Sequence, residues 1–253
     1  MPGTDASATQ APRRQATDEP KPKPKSATPL SAERIVEAAL AQIAERGVER
    51  FSLRDVARTL GVYPTAVYWY FRSRNELLAA VCAAAQRDIV PPPRQGDWQA
   101  WLRELFRRYR QAMRTHPHLA QLVGAQMLSN ASLDLTLVDG ILHMLQQAGC
   151  PDGPLVDLYN AVVAALCGYP TIELAPLPAE DPMGWAADLQ QRVHQIPAMQ
   201  HPVLARHLHR MADRSFVLRW TPGTQQPLDG GFDAYVEIFI AGLEARLAAA
   251  RAG

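Results

Sequence analysis

The chain has 253 residues, 47% hydrophobic and 20% charged, with 26 Lys+Arg against 25 Asp+Glu and a formal net charge of +1. That length holds one full domain plus a smaller one around a substantial core, and the near-neutral balance excludes a globally basic nucleic-acid coat, so any DNA-binding face must be local. Three cysteines without a C-x-x-C pair exclude a disulfide scaffold, and a basic N-terminal stretch with no apolar segment behind it excludes a secretory signal. Uninterrupted apolar runs such as Ala161 to Cys167 fall short of the ~20 residues that cross a bilayer, so the expectation is a soluble cytoplasmic protein with no membrane partner.

Residues 1–30 are rich in Pro, Ala, Thr, Ser and Lys with hardly a large side chain before Leu30, which predicts a disordered tail. Its K-P-K-P-K run, Lys21 to Lys25, is either a solubilising arm or a basic arm on DNA phosphate. From Ser31 the apolar residues Ile35, Val36, Ala39, Leu40 and Ile43 fall on one helical face, with Ser31 as N-cap, Leu30 and Ile35 as a hydrophobic staple, and Gly47 as a left-handed stop. Ser52 and Asp55 repeat the start signal, and a short helix runs from Leu53 to Leu60 before Gly61. A third helix follows through Phe71, and Ser73 with Glu76 opens a fourth into Leu77, Leu78 and Val81.

Leu53 to Phe71 carries the functional signal. Ala57 is the small contact that lets two short helices cross steeply, Gly61 supplies the turn, and Val56, Leu60, Val62 and Val67 point into the junction. That leaves Tyr63, Pro64, Thr65, Tyr68 and Tyr70 facing outward, as a helix-turn-helix needs if its second helix is to enter the major groove. Arg54, Arg58, Arg72 and Arg74 lie near that face, while Glu33, Glu37, Glu45 and Glu49 fall on the far side.

Beyond Pro91-Pro92-Pro93, helical spacing recurs at Trp98 to Tyr109, Leu119 to Leu128, Leu133 to Leu145, Leu155 to Cys167 and Phe232 to Ala249. Irregular stretches fall at Pro176 to Met183 and Thr221 to Gly231, and no segment shows the two-residue alternation of a strand. The class is all-α, a three-helix helix-turn-helix domain followed by a larger helical domain. Its boundaries are a tail at 1–30, the DNA-binding domain at 31–81 and the second domain at 82–250.

Gly61-Val62, Val67-Tyr68-Trp69-Tyr70-Phe71 and Ser73-Arg74-Asn75-Glu76-Leu77-Leu78 resemble the tetracycline repressor (TetR) family of bacterial transcription factors, whose hallmark is G-V-x-x-x-x-L-Y-x-H-F followed by x-S/N-K-x-x-L-L. Trp98-Gln99 with Leu102-Arg103, and Phe239 to Leu247, are similar to the tetracycline repressor's own C-terminal subclass. The resemblance implies that Arg54 reads a guanine edge, that Tyr68 and Arg74 contact phosphate, and that Trp69 packs beside the backbone. It places Tyr70 at the usual His, Pro64 at a base-reading Gln and Thr65 at a frequent Gly; with Ser52 and Tyr63 these complete the expected DNA-binding set.

The same resemblance implies an effector pocket and a dimer interface in residues 82–250, the latter from two helices per subunit, here Leu155 to Cys167 and Phe232 to Leu247. Pocket candidates are polar or soft residues among apolar helical positions: Trp101, Tyr109, Met113, His116, Gln126, Met127, His143, Asn160 and Tyr169. Leu122 or Val123 stands near the family's magnesium-binding His and cannot ligate a cation, so a small apolar or aromatic effector is expected, with no metal and no cofactor. His207 and His209 diverge on a helix, and no G-x-S-x-G, P-loop or G-x-G-x-x-G occurs, so no catalytic residue is proposed. The expected function is a homodimeric, ligand-responsive repressor that a small molecule releases from a palindromic double-stranded operator, with activation in place of repression as a further reading that sequence does not separate. The alternative is a helical small-molecule carrier or enzyme with a vestigial DNA-binding module.

Overall fold

The computed structural model describes residues 29–93, 96–123, 134–178 and 180–252. The K-P-K-P-K arm, Gln126 and Met127 lie outside them. The chain from Ser31 onward forms one compact unit, and among the described residues its regular structure is helical throughout.

Helix α1 (Ala32–Arg46) starts where the Ser31 hydroxyl accepts from the Arg34 amide at 3.3 Å and buries Ile35, Val36, Ala39 and Ile43. Gly47 stops it with φ 77° and ψ 167°, which is positive φ but an extended ψ rather than the left-handed helical cap expected. Helices α2 (Leu53–Leu60), α3 (Pro64–Tyr70) and α4 (Arg74–Ala85) follow, with α1 packed on α2 and α4, and α2 packed on α3. The boundary placed at residues 81 and 82 falls inside α4, because Ala83, Ala84 and Ala85 are strong helix formers and continue it to Gln86.

Helix α5 (Trp98–Thr115), capped by the Asp97 carboxylate on the Ala100 amide, is the central rod of the larger part. Its apolar stripe, Trp101, Leu102, Leu105, Phe106, Tyr109 and Met113, is buried along its length. A 3₁₀ turn (Pro117–Leu119) precedes α6 (Leu135–Gln147), α7 (Leu155–Glu173), α8 (Pro182–His194), α9 (Pro202–Met211) and α10 (Asp229–Ala252). α6, α7 and α10 pack around α5, and Phe106 meets Tyr235 and Phe239 of α10 at 6.1 and 5.6 Å. A two-armed Arg103–Glu237 pair, 2.6 and 2.7 Å, ties α5 to α10 at the surface.

The irregular stretches end earlier than expected. The Asp181 side chain caps Gly184 so that α8 already includes Met183, and α10 opens at Asp229, so that it includes Gly231. α7 runs on through Pro170 to Glu173, six residues past Cys167. By length and composition α7 is also long and apolar enough to cross a membrane, which a search for uninterrupted apolar runs does not reveal; only 28% of its apolar window is buried.

Candidate nucleic-acid interface and effector cavity

The helix-turn-helix is fixed by short-range hydrogen bonds. The Ser52 hydroxyl accepts from the Asp55 amide at 3.2 Å and donates to the Asp55 carboxylate at 2.6 Å. That second bond, more than the Arg58 guanidinium beside it, holds the Asp55 carboxyl below its ordinary range. At the other end Gly61 takes φ 66° and ψ 30°, its amide donating to the Arg58 carbonyl and the Val62 amide to the Ala57 carbonyl. These paired bonds are a Schellman closure, and they set the angle at which α3 leaves α2.

Pro64 fills the first position of α3, where its missing N–H costs nothing. Val67 is the buried residue of this helix, with Val56 and Ala57 of α2 also buried and Leu60 and Val62 half-buried at the junction. The rest faces out: Tyr63 is 84% and Trp69 90% exposed, and Pro64, Thr65, Tyr68 and Tyr70 are exposed too. Arg54 is exposed on α2. Ser52 is half-buried in its cap.

Arg74 has a second occupation. Its Nε and Nη2 donate to the Phe51 and Val48 carbonyls at 3.2 and 2.6 Å, and its guanidinium lies 5.8 Å from the centre of the Phe51 ring. It therefore fastens the start of α4 to the α1–α2 turn. Beside it the Ser73 hydroxyl caps Glu76, whose carboxylate reaches back one residue further than a capping box requires, to the Arg72 amide.

In the larger part, the residues expected to share a pocket are distributed over separate places. Trp101 and His143 border a cleft of about 310 Å³ under Pro91, Pro92 and Pro93, with the Trp101 indole donating to the Pro91 carbonyl and the exposed His143 ring bonded to Gln147. Tyr109 and Met113 are wholly in the core; the Tyr109 hydroxyl meets the Cys167 sulfur at 3.5 Å, and burial pushes its ionisation far up. His116 ends α5 in another cleft, its pKa lowered by desolvation. Asn160 is exposed on α7 and borders none of these clefts.

Tyr169 lines a cavity of about 830 Å³ together with Arg214, Phe216, Gln226, Leu228 and Asp229. Around it stand Phe216, Phe232 and Tyr235, with ring centres at 5.1, 5.5 and 5.4 Å. The Tyr169 hydroxyl donates to the Leu228 carbonyl, and burial, with the nearby Glu173 charge, pushes its pKa up to about 12. Against this wall lies a charged cluster that spacing did not reveal: Glu173 pairs with Arg110, Arg110 with Asp229, and Arg219 donates to the Glu173 carbonyl. Val123, one of the two positions near the family's metal-binding His, is buried and aliphatic. Among the described residues no three His, Cys, Asp or Glu come together as a metal site.

A capped helix-turn-helix presenting an aromatic second helix, carried on a helical body with cavities, defines a DNA-binding transcriptional regulator of the one-component kind. The bacterial regulatory proteins of the tetR family match residues 35–81, and the tetracyclin repressor-like C-terminal domain matches residues 90–247. The chain belongs to the TetR family. It is 28% identical over 185 residues to the HTH-type transcriptional repressor DrrR1 of Streptomyces coeruleorubidus, covering 70% of this chain and 68% of that one. The tetracycline repressor protein class A of Escherichia coli is 31% identical over 138 residues, 51% of this chain and 61% of that one, and matches to further curated regulators of the family span 27–53% of their lengths. The structure of BioQ with its double-stranded DNA operator superposes with a TM-score of 0.53 at 26% identity, over 66% of this chain and 97% of that one. The Streptomyces coelicolor TetR family protein ActR in complex with (S)-DNPA shares the fold, with a TM-score of 0.62 at 21% identity over 87% of this chain and 100% of that one.

Proposed function

We propose that this regulator is a homodimeric repressor that acts in the cytoplasm, binds an inverted-repeat operator through α2 and α3, and leaves it when a small apolar or aromatic molecule enters the helical body. The observation that carries the reading is α3 itself: the Gly61 turn before it and its N1 proline are in place, yet Val67 alone of its residues is buried, so its aromatic face serves something outside the subunit. In this reading Arg54 contacts a base edge, Tyr68 and Arg74 reach phosphates, and Ser52, Tyr63, Pro64, Thr65, Trp69 and Tyr70 make up the rest of the surface. Arg74 would keep its bonds to the turn with part of its guanidinium while presenting the remaining N–H groups to phosphate.

The dimer is supported by two exposed apolar faces. Ala161, Ala164, Gly168 and Ile172 follow one side of α7, and Ile238, Ala241, Gly242 and Ala245 one side of α10. A side chain at Gly168 or Gly242 would meet nothing within 4 Å inside the subunit, which leaves both glycines open for the close approach of a second helix. Ligand release follows as a population shift between two spacings of the recognition helices. The protein acts by binding, and no catalytic role is assigned to it.

Selection of a random duplex library by the purified full chain at ~150 mM salt, where contacts to phosphate alone are suppressed, tests the reading. An enriched inverted repeat is the expected result. Selection of no sequence by folded protein overturns it.

A further inference from the structure

We infer that α3 reads thymine: Pro64 and Thr65 contact the 5-methyl groups of thymines in the major groove, and Arg54 on α2 makes the hydrogen-bonded base contact of each half-site. This rests on the reading of the protein as an operator-binding repressor and names the base chemistry that the operator presents. The seven residues of α3, P-T-A-V-Y-W-Y, include no arginine, lysine, asparagine, glutamine, aspartate or glutamate. Those are the side chains that match the donor and acceptor patterns of guanine, adenine and cytosine. Pro64 has no backbone N–H to offer in their place. What the helix does present is apolar: the Pro64 ring and the Thr65 methyl are both on exposed residues.

The faces of the helix decide which residues reach the bases. Val67 is buried and fixes the inward direction. At ~3.6 residues per turn, Thr65 and Trp69 lie one turn apart on nearly the opposite side, with Pro64 and Tyr68 in the row beside them. The 90% exposure of Trp69 agrees with that placement. A recognition helix enters the groove with its first turn leading. The side chains there, Pro64 and Thr65, are short, so the backbone can approach until their carbons stand at the ~4 Å of apolar contact from the base edges. One turn later the long rings of Tyr68 and Trp69 extend toward the groove walls and the phosphates.

The thymine 5-methyl is the apolar group on the major-groove edge of a base pair, and it is the natural partner of a proline ring or a threonine methyl. Where a polar base edge takes its place, the Pro64 ring strips water from that edge and returns no hydrogen bond, which is costly. Hydrogen-bonded readout therefore falls to α2. Its Arg58 is tied to the Asp55 carboxylate at 2.6 Å, whereas Arg54, one turn earlier, is exposed. The guanidinium fork of Arg54 matches O6 and N7 of guanine. A half-site read by these residues combines one G·C pair with two thymines beside it.

The test uses the full chain and the operator selected from the random duplex library, with each thymine replaced in turn by deoxyuridine. That exchange removes the 5-methyl group and keeps every Watson–Crick group and every charge. By fluorescence anisotropy, two thymine positions in each half-site are expected to lose about fourfold in affinity per methyl removed, which is what burying one such group is worth. Uracil also alters the stiffness of the duplex, so two variants at the exposed Thr65 give a second readout. Thr65→Ser keeps the hydroxyl and drops the methyl, and should abolish the response to uracil at one of the two positions while leaving the other. Thr65→Val keeps a methyl and drops the hydroxyl, and should retain both responses. An operator without uracil-sensitive thymines, a response unchanged in Thr65→Ser, or binding lost in Thr65→Val but kept in Thr65→Ser overturns the inference. If an operator is selected and these responses are missing, the base chemistry alone is wrong; if folded protein selects none, the repressor reading fails with it.

Discussion

Arg110 and Glu173 meet as a two-armed ion pair, Nε to Oε2 at 2.8 Å and Nη2 to Oε1 at 2.6 Å, with side chains 8% and 0% exposed. The pair joins the middle of α5 to the last residue of α7. Through the Leu228 amide and Asp229 it also holds the start of α10, and the Arg110 guanidinium lies 4.5 Å over the Phe232 ring. The interior accepts these charges because each oxygen and most of the guanidinium are engaged.

Removing one partner should therefore be far worse than removing both. Glu173→Gln leaves Arg110 buried with one solvent-facing carboxylate, Asp229, and is expected to cost ~3–5 kcal/mol, the usual penalty for breaking a buried pair. At ~2–4 °C per kcal/mol for a chain of this size, the melting temperature should fall by on the order of 6–20 °C. The double variant R110L/E173L should recover a good part of that loss. Thermal and urea unfolding of the three proteins check the order, and a single variant as stable as the wild type contradicts it.

Two glycines should respond to alanine for different reasons. At Gly223 an added Cβ would lie 2.2 Å from the Glu173 carbonyl oxygen, a backbone atom that Arg219 also uses, so Gly223→Ala must move the loop off the end of α7. An overpacking cost of ~1–3 kcal/mol is expected. At Gly61 nothing lies within 4 Å, and the cost is conformational only, ~1 kcal/mol for a side chain in the left-handed region. Asparagine should rescue Gly61 and not Gly223, as read by urea midpoints.

Acid should expose the contribution of Glu104. Hydrogen bonds from Arg107 and Arg108 hold its carboxyl down to about 2, below the ~4.3 of an unfolded chain. A depressed folded pKa contributes stability that is complete above the unfolded value and lost as the pH falls through the folded one. The difference between wild type and Glu104→Gln should thus be full at pH 7, shrink below pH ~4 and vanish near pH 2. Since the arginines are solvent-facing, its full size should be only ~1 kcal/mol.

What sequence could and could not tell follows from the range of the interactions. The Ser52–Asp55 cap and the Gly61 closure act over three to five positions, so residue type and spacing alone locate them. The cavity depends on partners such as Tyr169 with Leu228 and Arg110 with Glu173, which are 59 and 63 positions apart and leave no local mark. Asn160 shows why polar residues in an apolar helix are poor guides. Nine positions before Tyr169, it lies about half a turn away around α7 at ~3.6 residues per turn, so the face that carries Tyr169 inward carries Asn160 to the surface.

On the DNA-facing side, stability and affinity should separate by residue. Arg74→Gln gives up bonds to the Val48 and Phe51 carbonyls and should destabilise the free protein by ~1–3 kcal/mol before DNA is considered. Tyr68→Phe and Arg54→Ala should leave unfolding unchanged. Against the selected operator, Tyr68→Phe should weaken all sequences alike, whereas Arg54→Ala should cost ~1–3 kcal/mol and relax the preference at one base pair of each half-site. Unfolding curves and fluorescence anisotropy on operator variants separate the three outcomes.

The last prediction concerns the apolar faces of α7 and α10. Ile238 is 72% exposed between Ala241, Gly242 and Ala245 on one side of α10, an arrangement that a lone subunit has no reason to keep but that a close-packed helix pair requires. Ile238→Asp puts a charge in the centre of that face and touches no core side chain, so the subunit should fold normally. By light scattering the wild type should weigh twice 27.9 kDa and the variant 27.9 kDa at the same concentration. Because two recognition helices must reach half-sites ~34 Å apart to hold an operator, the variant should also lose nearly all affinity for an inverted repeat while keeping weak binding to a single half-site. A variant that remains dimeric would place the subunit contact elsewhere, and a wild type that is monomeric would remove the geometric basis for reading a palindrome.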